Sequence, residues 1–473
     1  MTQHNYSMTV NGKDVHTSDT FGVENPATGR VFAQAPDCSP AQLDDALQAA
    51  TDAFPRWRED IATRRTALLA AAARIEEVAE EIASLLTLEQ GKPLPDARFE
   101  LQVVALSLRS TAALDVPQQV ISDDDAQRIE LLAQPMGVVA LITPWNFPLG
   151  LAALKLAPAL LAGNTVVLKP SPYTPLSSLA LGVALRDVLP PGVFNVITGR
   201  DPLGARLVVH PVPRKVSFTG SIATGKRVAM AAVSDLKRLT LELGGNDAAI
   251  LLDDIDLDLY ADHIFWAAFA NNGQLCVAIK RLYVPRVRYA EVVDAMADRA
   301  RSVKVADGMS PGAQLGPLAT APQFARVQEL VAEALANGAT AAAGGRPLDG
   351  DGYFFAPTIL RDLDAGVRVV DEEQFGPVLP VMPYDDVEDA LARANATCYG
   401  LNGSVWSADP ERAAALATRL ECGTSWVNTH GALRPDVPMG GHKLSGLGVE
   451  GGLPGLLSFT QAKVLHIMRP SMT

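Results

Sequence analysis

The sequence predicts an α/β fold with two doubly wound parallel sheets, and three observations carry that prediction. From residue 136 onward, short β-rich runs alternate with helical stretches. The strand runs are almost wholly apolar, as strands covered by helices on both faces must be. The alternation starts again after Gly245, which asks for a second unit of the same kind. A chain of 473 residues has room for two or three domains of about 100–200 residues each. It can bury a large core without disulfide or metal staples.

In chain order, residues 42–53 and 64–90 carry helical periodicity. Gly91 is a natural stop for the second helix, because glycine accepts the left-handed conformation that closes helices. Val138–Ile142 is the first strand of the alternating region, followed by an apolar helix ending near Gly163. Thr165–Leu168 precedes a helix over Leu176–Val188, and Val193–Ile197 precedes a shorter one. Val216–Phe218 leads into Gly220–Gly225 and a helix, and Leu239–Leu243 closes the series. Beyond Gly245, Ala248–Leu252, Arg281–Val284, Val378–Met382 and Ser425–Val427 read as strands with helices between them. Ligands bind parallel sheets at the carboxyl ends of the strands. That rule points to the loops Thr143–Phe147, Lys169–Tyr173, Thr198–Arg200, Thr219–Gly225 and Glu242–Gly245.

Composition excludes several function classes. The formal net charge is −13 and basic residues do not cluster, so nucleic acid and anionic membranes are poor partners. No apolar run reaches the roughly 18 residues of a membrane helix; the richest, Leu149–Ala162, is broken by Lys155 and Pro158. The opening MTQHNYSMTVNGK lacks the basic start and apolar middle of a secretory signal. Cys38, Cys276, Cys398 and Cys422 lie far apart, without metal-ligand spacing or a disulfide framework. A reducing, cytoplasmic setting and no bound metal are expected.

Five segments carry candidate chemistry. In Thr143-Pro144-Trp145-Asn146-Phe147-Pro148, two prolines stiffen the chain around one asparagine. A rigid Asn146 can aim its amide at a developing oxyanion, or it can cap the helix that follows. Lys169 ends a strand in LKPSPYTP, where a lysine can hold phosphate or ribose oxygens or else snorkel to the surface. Phe218–Gly225 places glycines at a strand-to-helix turn whose free N–H groups suit a pyrophosphate. The spacing is not the usual dinucleotide fingerprint. Glu242, at the end of a strong strand, is followed by Gly244 and Gly245, which leave room for a ligand or a water. It can act as a general base or sit in a salt bridge. Cys276 follows the polar run Asn271-Asn272-Gly273-Gln274; a thiol at a helix start has a lowered pKa and is reactive. The other cysteines read as structural. His430 and His442 read as hydrogen-bonded structural histidines, so a Cys–His hydrolase pair has little support.

Taken together, these segments resemble the aldehyde dehydrogenase superfamily over nearly the whole chain. The motifs are TPWNFP, LKPSPYTP, FTGSIATG, LELGG, NNGQLC, EEQFGPVLP and PMGGHKLSG, in the family's order. Glu242 and Cys276 are separated by 34 positions, from 242 to 276, as in that family. Each motif is weak alone; seven in order are specific.

The resemblance implies a division of labour. Cys276 would attack the aldehyde carbon, and Asn146 with the Cys276 backbone N–H would hold the oxyanion of the thiohemiacetal. Hydride would pass to the nicotinamide of NAD or NADP, leaving a thioester. Glu242 would then deprotonate the water that releases the acid. Lys169 and Glu373 would bind ribose hydroxyls, Gly220 and Ser221 would lie against the pyrophosphate, and Phe375 would pack beside the nicotinamide ribose. Thr143, Pro144, Trp145, Ser171, Gly225 and Leu243 complete the implied cofactor site. Covalent capture suits the chemistry, because an aldehyde is a poor hydride donor until a nucleophile makes it tetrahedral. Relatives that pass the thioester to coenzyme A generally lack the glutamate, so Glu242 favours hydrolysis.

The resemblance also implies a Rossmann-like cofactor domain over 1–116 and 136–244, a catalytic domain over 245–445, and a small β oligomerisation arm over 117–135 and 446–473. The arm would pair a hairpin near Pro117–Pro135 with Leu457–Ile467, and another chain would cover its edges. A homodimer or homotetramer is expected. Three positions depart from the family's pattern. Pro172 stands where NAD-preferring members often have a glutamate, which admits NADP. Met439 and Val449 replace a usual Phe and Arg away from the chemistry.

Phe147, Leu151, Leu154, Ala270, Leu275 and Val277 are expected to line the substrate pocket. That apolar lining suggests an aromatic or medium aliphatic aldehyde. A semialdehyde, with Arg434 approaching from the C-terminal loop, is the runner-up. A nucleotide-independent cysteine thioesterase would leave Lys169, the Gly220 turn and Glu373 unexplained. A non-catalytic descendant would be expected to lose Cys276 or Glu242.

Overall fold

A computed structural model describes residues 6–469; the ends of the predicted cofactor domain and arm, residues 1–5 and 470–473, lie outside them. Five parallel strands stand in the spatial order Phe194–Val196, Thr165–Lys169, Val138–Ile142, Lys215–Thr219, Arg238–Glu242. Chain order reverses between Val138–Ile142 and Lys215–Thr219, and such a switch point opens a crevice at the strands' carboxyl ends. The Thr143 loop and the Thr219–Gly220 turn leave the sheet there. Short antiparallel strands extend it at both ends: Gly446–Leu447 beside Arg238–Glu242, and Met8–Val10 with Lys13–Val15 beyond Phe194–Val196.

The second sheet runs Thr358–Arg361, Val378–Tyr384, Ile279–Pro285, Asp247–Leu251, Asn402–Trp406, Thr424–Val427, all parallel, with Thr340–Ala343 antiparallel at one edge. Its strands alternate between two cores: Ala248 and Ile250 enter one, Ala249 and Leu251 the other. That alternation is the mark of a sheet with helices on both faces. Leu243–Asn246 joins the sheets, so Glu242 closes one and Asp247 opens the next. A third, antiparallel sheet pairs Thr460–Met468 with Gln127–Pro135, and the latter with Gln118–Asp123. Gly446–Leu447 thus belongs to the first sheet, although the sequence reading put it with the arm; its backbone pairs with Leu241 and Glu242.

Boundaries move where local chemistry dictates. The predicted helices 42–53 and 64–90 run Pro40–Trp57 and Ile61–Gln90, started by Ser39 and Asp60 as N-caps. The helix expected to reach Val188 stops at Leu185, because Pro190 and Pro191 follow a single turn later. Gly91 ends the long helix at φ 94°, where a side chain would come within 2.7 Å of Pro317. That stop turns Lys92 inward.

Candidate functional site

The Thr143–Pro148 loop is fixed from three sides. Asn146 is buried, and its amide donates to the Gln274 carbonyl at 2.9 Å, tying it to the loop before Cys276. Its own carbonyl accepts from Lys92 Nζ at 2.9 Å and Asn271 Nδ2 at 3.2 Å. Lys92 pairs with Glu100 at 2.5 Å, both side chains fully buried, and stands 3.6 Å from the Phe147 ring centre. Glu100 Oε1 accepts the N–H groups of Leu149 and Gly150. Glu100, not Asn146, therefore caps the helix Pro148–Leu161. Every residue of that helix is buried except Leu151 and Leu154. With Phe147, they form a half-buried apolar face at helical spacing.

Cys276 lies between a tight turn, Ala270–Gly273, and the strand Ile279–Pro285, and it is partly exposed. Asn271 and Asn272 take left-handed conformations in that turn. No helix starts at the thiol, so the expected lowering of its pKa is overturned. Burial pushes it up, and the carboxylates of Glu373 and Glu242 add to the effect. Nearby Ala270 and Leu275 are half-buried, and Val277 is buried.

Glu242 ends its strand 3% exposed, and neither carboxylate oxygen has a hydrogen-bond partner. A salt bridge is thus not its role. Burial holds its pKa well above the usual carboxylate range; Glu450 adds to this and Lys155 opposes it. Gly220 N donates to the Glu242 carbonyl at 3.0 Å, which closes the FTGS turn against it. The glycine pair after Glu242 makes room for protein rather than for an open space. A Cβ at Gly244 would come within 2.3 Å of Glu373 Oε2, and one at Gly245 within 2.3 Å of the Cys276 carbonyl. Gly245 N donates to Glu373 Oε1 at 2.9 Å, and burial raises that carboxyl to about 7. Phe375, at φ 49°, meets Trp145 edge to face at 5.3 Å. The segments around Asn146, Glu242, Cys276 and Glu373 thus converge on one junction between the two large sheets.

The residues expected to hold a cofactor lie on the loops and the helix that follow these strands. Thr143 and Thr219 are buried there with unpartnered hydroxyls, and unpaired buried donors call for a ligand or water. Lys169 is 5% exposed rather than snorkelling; burial lowers its ammonium to about 8 against the pull of Asp201 and Asp37. Ser171 is buried, Pro172 half-buried. Ser221 caps the helix Ile222–Ala232, and Gly225 packs on Leu243, where a Cβ would come within 2.5 Å. These residues fit a dinucleotide.

Other candidates stay apart. Arg434 is exposed and paired with Asp436, and Arg200 is paired with Asp37. His430 is buried and bonded to Ser404 and the Val277 carbonyl. Among the described residues, no group of three or more His, Cys, Asp or Glu could hold a metal, and no helix is long and apolar enough to cross a membrane. Sequence reasoning missed Lys92, Glu100 and Lys280. The only signal was a charged residue where an apolar one would pack more cheaply.

Comparison with known proteins agrees with this geometry. A family model described as the aldehyde dehydrogenase family matches residues 14–465. Aldehyde dehydrogenase LUC3 of a Fusarium species is 37% identical over 463 residues, covering 97% of this chain and 98% of its own. The succinate-semialdehyde dehydrogenase [NADP(+)] GabD of Escherichia coli is 36% identical, with 97% of each covered. The NAD+ complex of an aldehyde dehydrogenase from Bacillus cereus superposes with a TM-score of 0.96 at 36% identity, covering 98% of this chain and 97% of that one.

Proposed function

The chain belongs to the aldehyde dehydrogenase family, and from that premise we propose that it oxidises an aldehyde to the carboxylic acid with NAD or NADP, through a cysteine thiohemiacetal and a thioester. The observation that carries this reading is Glu242: a buried carboxylate with both oxygens unpartnered, close enough to Cys276 to raise its pKa.

Cys276 is the nucleophile. It attacks as the thiolate, its proton going to solvent, and Glu242 is the neighbouring carboxylate that nothing else holds. The sulfur adds to the carbonyl carbon, and negative charge moves to the oxygen. An asparagine amide has two N–H donors. One is fixed on Gln274, so the other is left, oriented, for the oxyanion beside the Cys276 backbone N–H. Bound there, NAD or NADP would supply the acceptor for the hydride lost from that carbon. Glu242 then takes a proton from water; the water oxygen adds to the thioester, the C–S bond breaks and the acid leaves. Lys169 and Glu373 would hold ribose hydroxyls, and Gly220 and Ser221 would lie against the pyrophosphate. Thr143, Pro144, Trp145, Ser171, Gly225, Leu243 and Phe375 would enclose the rest. Pro172 offers no acceptor for a ribose 2′-hydroxyl, so NADP is admitted beside NAD.

Asn146→Ala is expected to lower kcat by about 10²–10³-fold, the usual cost of one oxyanion donor, with the aldehyde KM little changed. Steady-state kinetics check it; an unchanged kcat would remove Asn146 from this role.

Phe147, Leu151, Leu154, Ala270, Leu275 and Val277 give an apolar lining, which favours an aromatic or medium aliphatic aldehyde. A free carboxylate would lose its hydration there without a cation to meet it, since Arg434 is already paired. Benzaldehyde and hexanal should therefore give a higher kcat/KM than succinic semialdehyde, each tried with NAD and NADP. The reverse order would select the semialdehyde reading, which the name of the Escherichia coli relative supports.

The working units are a cofactor domain over 1–116 and 136–244, a catalytic domain over 245–445 and an arm over 117–135 and 446–473, less the Gly446–Leu447 strand. The arm's edge strand Thr460–Met468 leaves Val464 60% exposed and Met468 68% exposed. A second copy of the chain covers it in a dimer or tetramer.

A further inference from the structure

Lys280 is the second residue of the strand Ile279–Pro285, 1% exposed. Its ammonium donates to the Gly273 carbonyl at 2.5 Å and the Gly376 carbonyl at 3.0 Å. The first carbonyl is three residues before Cys276; the second follows Phe375. The two segments touch closely: a Cβ at Gly273 would come within 2.3 Å of the Gly376 oxygen and 2.7 Å of Lys280 Nζ. Gly273 also sits at φ +64°, so only glycine allows this approach without strain.

No carboxylate among the described residues lies within ion-pair distance of Lys280. Burial lowers its ammonium to about 7, with Glu373 and Asp247 pulling the other way. A buried cation without a paired anion is expensive, and a methionine or leucine would fill a strand interior more cheaply. The lysine does something those residues cannot: one group binds the backbones of both loops.

We propose that Lys280 is a positioning residue that couples the cofactor loop to the nucleophile loop, so that engagement of the cofactor at Glu373–Phe375 sets the position of Cys276. This rests on the roles assigned to those loops above. Gln323 holds the carbonyls of Gln374 and Phe375 from outside, and Gly245 N holds Glu373 Oε1. Gly245 also packs against the Cys276 carbonyl, but of the three residues Lys280 is the one that hydrogen-bonds both segments.

The test uses the full chain with Lys280→Met, which keeps the length and removes the donors, and Lys280→Gln, which keeps two N–H donors. The readout is the rate of iodoacetamide alkylation at the Cys276 peptide, with and without saturating NAD+ or NADP+, measured by mass spectrometry. In the parent protein the cofactor should change that rate by about 5-fold or more, the range of ordinary site–site coupling. The ratio should collapse toward unity in Lys280→Met and recover in part in Lys280→Gln. A folded Lys280→Met protein with the parent ratio overturns the proposal. Should Lys280→Met fail to fold, hydrogen exchange on the parent protein decides. Cofactor should slow exchange in 271–277 together with 373–377; slowing in 373–377 alone overturns the coupling while leaving the cofactor site intact. No effect of either cofactor on exchange or alkylation contradicts the cofactor reading itself, and this proposal falls with it.

Discussion

Replacing Cys276 with alanine is expected to abolish aldehyde oxidation, with kcat/KM falling by at least about 10⁴-fold, as when a catalytic nucleophile is removed from a group of residues acting together. The reason is chemical. An aldehyde hydrogen leaves as hydride only once the carbon carries an oxyanion, and without sulfur nothing makes that carbon tetrahedral. Cofactor affinity should stay close to that of the parent, because the groups assigned to binding lie on other segments: Lys169, the Gly220 turn and Glu373. Reduced cofactor appearing with an aldehyde measures the first effect, and equilibrium binding measures the second. Cys38, Cys398 and Cys422 serve as controls. Alanine at Cys398, which is exposed, should leave the rate unaltered. A Cys276→Ala protein that still oxidised aldehydes at the parent rate would require another nucleophile.

Glu242→Gln should separate the two halves of the reaction. Thioester hydrolysis should slow by about 10²–10⁴-fold, the worth of a positioned general base. Acyl transfer to Cys276 is less affected, so each site should release one reduced cofactor quickly and then stall. The pH dependence follows from the direction of the pKa shift. Burial pushes the Glu242 carboxyl up, with Glu450 adding and Lys155 opposing. Below its raised pKa the group is neutral and cannot accept a proton. Hydrolysis in the parent should therefore fall as pH drops through that value and level off above it. Glutamine has no proton to gain, so the acid limb should vanish in the variant. Its persistence would assign the limb to another group.

The fold was legible wherever burial on both faces produced an uninterrupted apolar strand. Val138–Ile142 falls on its predicted residues, and the other predicted parallel strands shift by a residue or two, whereas Thr358–Arg361 and Asn402–Trp406, whose runs include polar residues, had no prediction. What escaped is what lacks that pattern. Thr20–Asn25 and Arg30–Pro36 form an isolated hairpin with mixed exposure. The helix Leu94–Ala112 starts behind Pro93 without a side-chain cap, and its start is marked only by Pro95 and Asp96 in the first turn. Thr340–Ala343 is an alanine-rich edge whose strand identity comes from its partner Thr358–Arg361.

At the site, the residues proposed to carry chemistry stood out as reactive or polar groups at or beside strand ends. Two alternatives were settled only by coordinates. Asn146 does not cap its helix because Glu100 reaches those N–H groups from 49 and 50 positions away. Glu242 has no salt bridge because Lys155 is held by Glu450. Such long-range partners leave no local trace. The Lys92–Glu100 pair is hidden for the same reason: its effect on the Asn146 carbonyl depends on the left-handed turn at Gly91.

Intact-mass analysis of Glu242→Gln after brief mixing with benzaldehyde and NAD+ or NADP+ tests the covalent route most directly. The expected protein carries one added acyl group, the mass of the aldehyde less its hydride and the thiol proton, and peptide mapping places it on Cys276. Reduced cofactor formed with the protein mass unchanged, or with the acyl group on any other residue, would contradict it.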